Sequence, residues 1–321
     1  MIKERTGFLR IAFVLLTAIS LSACGGGGGG DSSPPVASPP PPPPPSPPPA
    51  PVVNVNIDNP TLVEADNFDV SPGDTLTLVW SDEFDAAQLD PEVWFFENGD
   101  GSQYGIPGWG NNELQWYLED SAELRDGMLV ITAREESVGG KNYTSARLNT
   151  RDRFAFKYGR IEARIRFPAG QGIWPAFWML PQDDVYGTWA ASGEIDVVEA
   201  INLGGTGGNT VFGTIHYGGE FPANQSSTND YLVPTNATTE FHTYAFEWDE
   251  SEMRWYVDDI LYSTQNSWST TGAPFPAPFD ERFYVLFNVA VGGNFPGAPN
   301  ASTEFPVTME VDYVRVYTGE P

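Results

Sequence analysis

Ile161-Glu162-Ala163-Arg164-Ile165-Arg166-Phe167 alternates apolar and charged residues with a period of two. Successive side chains of a strand point to opposite faces, so one face of this stretch enters a core and the other meets water. Similar short runs recur at Leu76 to Trp80, Leu129 to Ala133, Tyr244 to Trp248, Arg254 to Val257, Phe283 to Val289 and Met309 to Tyr317. Each is bounded by Gly, Pro, Asp or Asn, the residues that punctuate strands. No helical stretch of useful length follows residue 23, and no internal repeat marks a propeller. Many short strands without alternating helices predict an all-β domain, a large antiparallel sandwich or barrel.

The chain has 321 residues, with 16 Lys and Arg against 43 Asp and Glu, a net charge of -27. A charge of that sign repels phosphate backbones and excludes a nucleic-acid binder. One Cys permits neither an internal disulfide nor a multi-cysteine zinc site. Lys3, Arg5 and Arg10 precede an apolar run from Ile11 to Ser20 that ends in Leu21-Ser22-Ala23-Cys24. This beginning resembles a bacterial lipoprotein signal over residues 1–23, which implies that Cys24 becomes the acylated N-terminus. Residues 24–53 are glycine and then proline-dominated, a composition that buries no core. As stiff polyproline at about 3.1 Å per residue the tract is a spacer of roughly 50 Å, with a ligand for a polyproline-binding partner as the alternative reading. Gly25 after the Cys favours an outer-membrane, surface-exposed location in a bacterium, so the membrane is met only through Cys24. The folded domain is expected over 54–321, with its core at about 75–318, as a monomer.

Within that domain Ser192-Gly193-Glu194-Ile195-Asp196-Val197-Val198-Glu199-Ala200 carries three carboxylates. On a regular strand Glu194 and Asp196 share a face and Glu199 falls on the other. A one-residue β-bulge between Asp196 and Glu199 would bring all three to one face. Three carboxylates together repel one another, which costs stability unless the chemistry uses it. Glycoside hydrolysis does so: one carboxylate attacks the anomeric carbon, and its negative charge keeps the second protonated until the glycosyl ester forms. The same residues could equally line a solvated acidic strand or hold calcium.

Gly193 to Glu199, preceded by Gly172-Ile173-Trp174-Pro175-Ala176-Phe177-Trp178-Met179-Leu180, resembles the signature of glycoside hydrolase family 16, in its bacterial laminarinase branch. The likeness continues in order through Trp109 to Gln115, Tyr143 to Leu148, Thr214 to Tyr217, Trp255 to Asp258, Asn288 to Asn294 and Val311 to Tyr317. It implies a β-jelly roll of two antiparallel sheets with a concave substrate cleft. It implies Glu194 as nucleophile, Glu199 as acid/base and Asp196 as support for the nucleophile, in the bulged form of the motif. It places Trp174 and Trp178 at sugar subsites, although on residue type alone both suit a core. It makes His216 a leaving-side subsite residue and gives Asn111 and Arg147 hydrogen bonds to sugars on the other side. Asn288 and Asn294 could line the cleft or serve a turn.

The same resemblance implies no cofactor for catalysis but a structural calcium on the convex side, at Asp312 with backbone oxygens near the first strand, here Glu83 and Gly127. An Asp312 that merely caps a surface strand is the alternative. A domain this acidic suits a neutral β-glucan better than a sulfated galactan. The expected reaction is internal cleavage of β-1,3 or mixed β-1,3-1,4 glucan with retention of configuration. An agarase or other galactan hydrolase, a transglycosylase, and a non-catalytic β-glucan-binding surface protein are the alternatives. Phe295 stands where laminarinases frequently carry Trp, and loops around 201–210 and 218–235 are expected to shape the cleft.

Overall fold

A computed structural model of the protein describes residues 63–64 and 75–320. The expected signal over 1–23, the linker over 24–53 and Cys24 lie outside the described residues. In chain order the strands are β1 Val63–Glu64, β2 Thr75–Asp82, β3 Phe95–Phe96, β4 Gln115–Tyr117, β5 Ala122–Arg125, β6 Met128–Val138, β7 Lys141–Ser145, β8 Arg147–Asn149, β9 Ala155–Lys157 and β10 Gly159–Arg166. They continue with β11 Ile173–Pro181, β12 Glu194–Ala200, β13 Thr210–Gly218, β14 Asn224–Leu232, β15 His242–Trp248, β16 Met253–Val257, β17 Ile260–Gln265, β18 Phe283–Val291 and β19 Val307–Glu320. Helix is confined, among the described residues, to three single 3₁₀ turns.

Two sheets form. One runs β1-β9-β18-β11-β12-β13-β14, with β8 on β18 and β3 on β8; the other runs β17-β16-β15-β10-β19-β6-β7-β4, with β2 on β19 and β5 on β6. The expectation of purely antiparallel sheets needs one correction. The short pairs β1–β9 and β4–β7 are parallel, because each joins strands from separate excursions of the chain rather than from one hairpin.

The alternation from Ile161 to Phe167 explains the packing. In β10, Ile161, Ala163 and Ile165 are fully buried in a core shared by both sheets. The alternate residues are not simply wet: Arg160 pairs with Glu162, Glu247 and Asp259 and is itself buried. Strand β18 is buried along its whole length, since it lies inside its sheet with a covered layer on either face. That accounts for its unbroken apolar sequence, in which Asn288 alone interrupts the run.

The stretch 218–235, expected as a loop, contains β14. Its Asn-Gln-Ser-Ser-Thr-Asn-Asp sequence hides the strand because it is a half-wet edge whose partners come from only one side, nine residues pairing with β13. Across the sandwich, the Trp255 Nε1–H of β16 donates to the Asp196 carbonyl of β12 at 2.9 Å. Gly213 of β13 lets that indole in: a Cβ there would lie 2.4 Å from Trp255 Cδ1.

Candidate active site

Strand β12 carries the bulge that the acid spacing requires. Asp196 pairs with Thr214 and Glu199 with Phe212 of β13, so three steps on one strand match two on the other. On the other side Phe177 faces Val198 and Trp178 faces Asp196, which leaves Val197 as the extra residue. Glu194, Asp196 and Glu199 therefore project from the same face, away from the shared core. Gly193, at φ 89°, makes the turn into the strand, and a Cβ there would press to 2.8 Å against Phe279.

Each glutamate is held by an indole. Trp189 Nε1–H donates to Glu194 Oε2 at 2.8 Å, and Trp174 Nε1–H donates to Glu199 Oε1 at 2.8 Å. Charge-assisted bonds of this kind fix one oxygen and leave the other for chemistry. Between the glutamates, His216 of β13 places Nε2 3.4 Å from Asp196 Oδ2 and 3.6 Å from Glu194 Oε1. Asp196 is buried, and its Oδ2 has no hydrogen-bond partner.

Burial and then the charge of Asp196 push the Glu194 carboxyl up to about 7. The same two causes push Glu199 well above the usual carboxylate range, with Glu194 adding to them and the Trp174 bond opposing. Burial acts to lower His216, but the contact with Asp196 and the charges of both glutamates outweigh it and raise the imidazole to about 10. Cationic His216 thus offsets part of the repulsion among the three acids.

The remaining expected residues fall around this centre in two ways. Trp178 lies half-buried on the same face of β11 as Trp174, and its Nε1–H donates to Asn288 Oδ1 at 2.8 Å. Arg147 is buried, ion-paired with Glu97, and stacks against the rings of Trp109 and Trp178 at 4.4 and 4.7 Å from their centroids. It braces the aromatic wall. Asn111 likewise turns inward, with Nδ2 donating to Glu113 Oε1 at 3.4 Å and its carbonyl accepting the Asn294 N–H.

Sequence reasoning missed two features. Trp189, five residues before Glu194, sits in no strand pattern, so nothing in its spacing signalled an indole aimed at that carboxylate. Buried Glu113 anchors a chain of bonds from Gln115 and Tyr117, and Tyr117 Oη also accepts from Asn288 Nδ2. The second histidine, His242, bonds Asp258 and Thr235 away from this cluster.

The residues expected to hold calcium lie on the other sheet and its flanks. Asp312 Oδ2 accepts from Arg164 at 2.6 Å, which leaves Oδ1 for an ion, while the Glu83 carboxylate is clasped by both arms of Arg315. Glu83 could then serve only through its carbonyl, as expected, and Gly127 holds the left-handed turn between β5 and β6. One free carboxylate oxygen with carbonyls fits calcium chemistry.

A family model, Glycosyl hydrolases family 16, matches residues 110–315. The chain belongs to that family. This family 16 chain is 43% identical over 288 residues to the glucan endo-1,3-beta-glucosidase A1 of Niallia circulans, covering 82% of this chain and 42% of that protein. It is 43% identical over 253 residues to a beta-glucanase of Rhodothermus marinus, covering 75% of this chain and 84% of that one. The catalytic domain of an endo-1,3-beta-glucanase (laminarinase) from Thermotoga petrophila superimposes with a TM-score of 0.69 at 40% identity, covering 77% of this chain and all of that domain. The chain thus spans less than half of the Niallia protein's length, and the fold is the family 16 jelly roll.

Proposed function

We propose that the protein is a retaining endo-glycosidase that hydrolyses internal β-1,3 linkages of laminarin-type glucans, mixed β-1,3-1,4 chains included. The observation that carries this reading is the Val197 bulge, which puts Glu194, Asp196 and Glu199 on one face with an indole N–H on each glutamate. The relatives' activity on β-1,3-glucan supports it.

In this mechanism Glu194 attacks the anomeric carbon while Glu199, kept protonated by burial and by its anionic neighbours, gives its proton to the leaving oxygen. Esterification removes the charge on Glu194, so Glu199 becomes more acidic and accepts a proton from the incoming water. Asp196 and His216 set the field in which both steps run. Trp174 and Trp178 line the face over which the glucan lies.

The test is product analysis on laminarin, barley mixed-linkage glucan, agarose and carrageenan, with wild type and Glu194→Gln. Short oligosaccharides from laminarin that vanish with Glu194→Gln support the proposal. Activity confined to agarose would move the substrate to a galactan, and retention of laminarin without cleavage would make this a binding protein.

Two further parts belong to the same proposal. The protein is anchored to the outer membrane through acylated Cys24, which metabolic palmitate labelling lost in Cys24→Ser would support. A calcium ion sits at Asp312 with the carbonyls of Glu83 and Gly127. Chelation should then lower Tm, by mass action on the folded state, and leave kcat unchanged.

A further inference from the structure

Asn288 interrupts the apolar run of buried strand β18, and hydrogen bonds leave its amide in both directions. Its Oδ1 accepts from Trp178 Nε1–H at 2.8 Å, and its Nδ2 donates to Tyr117 Oη at 3.1 Å. At the far end, Glu113 Oε2 accepts from Tyr117 Oη at 3.1 Å and from Gln115 Nε2 at 2.6 Å. Glu113, Gln115, Tyr117 and Asn288 are all buried, so water does not compete for these bonds.

Donor and acceptor roles run one way along this chain. The Val291 backbone N–H donates to Gln115 Oε1 at 2.8 Å, which turns Gln115 Nε2 toward Glu113 and makes Glu113 Oε2 an acceptor. Tyr117 therefore gives its proton to Glu113 and keeps lone pairs that only the Nδ2 side of Asn288 can meet. That sends Asn288 Oδ1 to Trp178, whose indole has a donor and no acceptor. With the Asn288 amide turned over, two N–H groups would face each other inside the protein. Glu113 thus selects the amide orientation that Trp178 needs, although it precedes β4 of the other sheet.

We propose that Glu113 is a positioning residue for the sugar-binding wall: without touching substrate it fixes, through Tyr117 and Asn288, the plane of the Trp178 indole over which the glucan lies. Trp178 is half-buried, Arg147 stacks on it with the guanidinium 4.7 Å from the ring centroid, and its single N–H is committed to this chain. The contribution to glucan binding rests on the proposed glucanase reading; the tethering of the indole does not.

Nitrogen-15 NMR of the tryptophan indoles in the full chain tests the tether without substrate, the Trp178 signal being assigned by its loss in Trp178→Phe. Tyr117→Phe and Glu113→Met should shift that signal and speed exchange of its proton about tenfold or more, with the Trp174 and Trp189 signals in place. Glu113→Gln, which still presents a carbonyl oxygen to Tyr117, should restore the wild-type signal. In rate assays on laminarin, Tyr117→Phe should raise KM about threefold to tenfold and leave kcat within about twofold. Added to Trp178→Phe it should change nothing further, because the route to residue 178 is already cut. Should both variants prove unfolded by circular dichroism, wild-type exchange decides: the Trp178 indole proton, bonded to buried Asn288, should exchange at least about tenfold more slowly than that of the more exposed Trp189. An unmoved Trp178 signal in a folded variant, equal exchange rates in the wild type, or a KM rise that persists in the Trp178→Phe background would overturn the inference. A wild type inert on laminarin would instead tell against the glucanase reading, and the indole signal would still decide the tether.

Discussion

At the scale of single residues, the pH behaviour follows from two carboxyls with opposite duties. In the proposed mechanism Glu194 must be ionised to attack and Glu199 protonated to donate, so the rate should fall on the acid side with the first and on the alkaline side with the second. Asp196 raises both by its charge. Asp196→Asn should therefore shift both limbs of the kcat/KM profile toward lower pH, besides lowering its maximum by about 10²-fold or more. Trp189→Phe removes a bond that lowers Glu194, so its acid limb should move the other way, to higher pH, with the alkaline limb in place. Profiles that keep both limbs fixed in these variants would count against the roles assigned.

The same groups tie function to stability. A carboxyl raised in the folded state is protonated in both states below its unfolded value near 4.5 and costs stability progressively as pH rises through the folded value. Glu194→Gln and Glu199→Gln should thus raise Tm by a few degrees at pH 8 and leave it unchanged near pH 4, read by thermal melts across pH.

At the scale of elements, the bulge makes a sharp distinction between removing and adding a residue. Deleting Val197 converts β12 to a regular strand in which residues 194, 196 and 199 still share a face, because their spacing becomes two and four. That variant should fold, at a cost of about 1–3 kcal/mol for the lost buried valine, and keep measurable activity. Inserting one Ala after Val197 also makes the step even, at six residues, but carries Glu199 one residue pair, about 7 Å, farther along the strand from Glu194, so that variant should fold and lose activity. Gly213→Ala presses a methyl group into Trp255 and should cost about 1–3 kcal/mol while disturbing the bond from Trp255 to the Asp196 carbonyl. Much at this scale was legible beforehand. Alternation in Ile161 to Phe167 exposes a strand because one face is apolar, and the five-residue step from Glu194 to Glu199 leaves by parity either a bulge or a split site, of which the structure has the bulge. What stayed hidden has equally physical causes. Edge strand β14 has no buried face to write a pattern, and Trp189 reaches Glu194 through a turn whose direction no periodicity encodes. The contacts of Arg147 with Glu97, Trp109 and Trp178, and of Asn111 with Glu113, join separate strands and loops and write no period either.

At the scale of the whole molecule, the net charge of -27 governs which polysaccharides approach. A neutral glucan feels no field, so kcat/KM on laminarin should change less than about twofold between 20 mM and 500 mM salt, whereas any residual action on a sulfated galactan should rise as salt screens the repulsion. A strong salt dependence on laminarin would contradict that picture. The sandwich itself is the scaffold that makes the site possible: the second sheet fixes β12 from beneath through Trp255, and the indoles on the open face hold the glutamates from above.

In the proposed mechanism Glu194 forms the covalent bond to sugar. That bond is detected by incubating the protein with a 2-deoxy-2-fluoro-laminaribiosyl fluoride and locating the trapped sugar by tandem mass spectrometry of the peptide spanning β12. One fluoroglycosyl group per chain is expected, on Glu194 and not in Glu194→Gln. A sugar found on Glu199 or Asp196, or turnover of laminarin with inversion and no trapped ester, would contradict it.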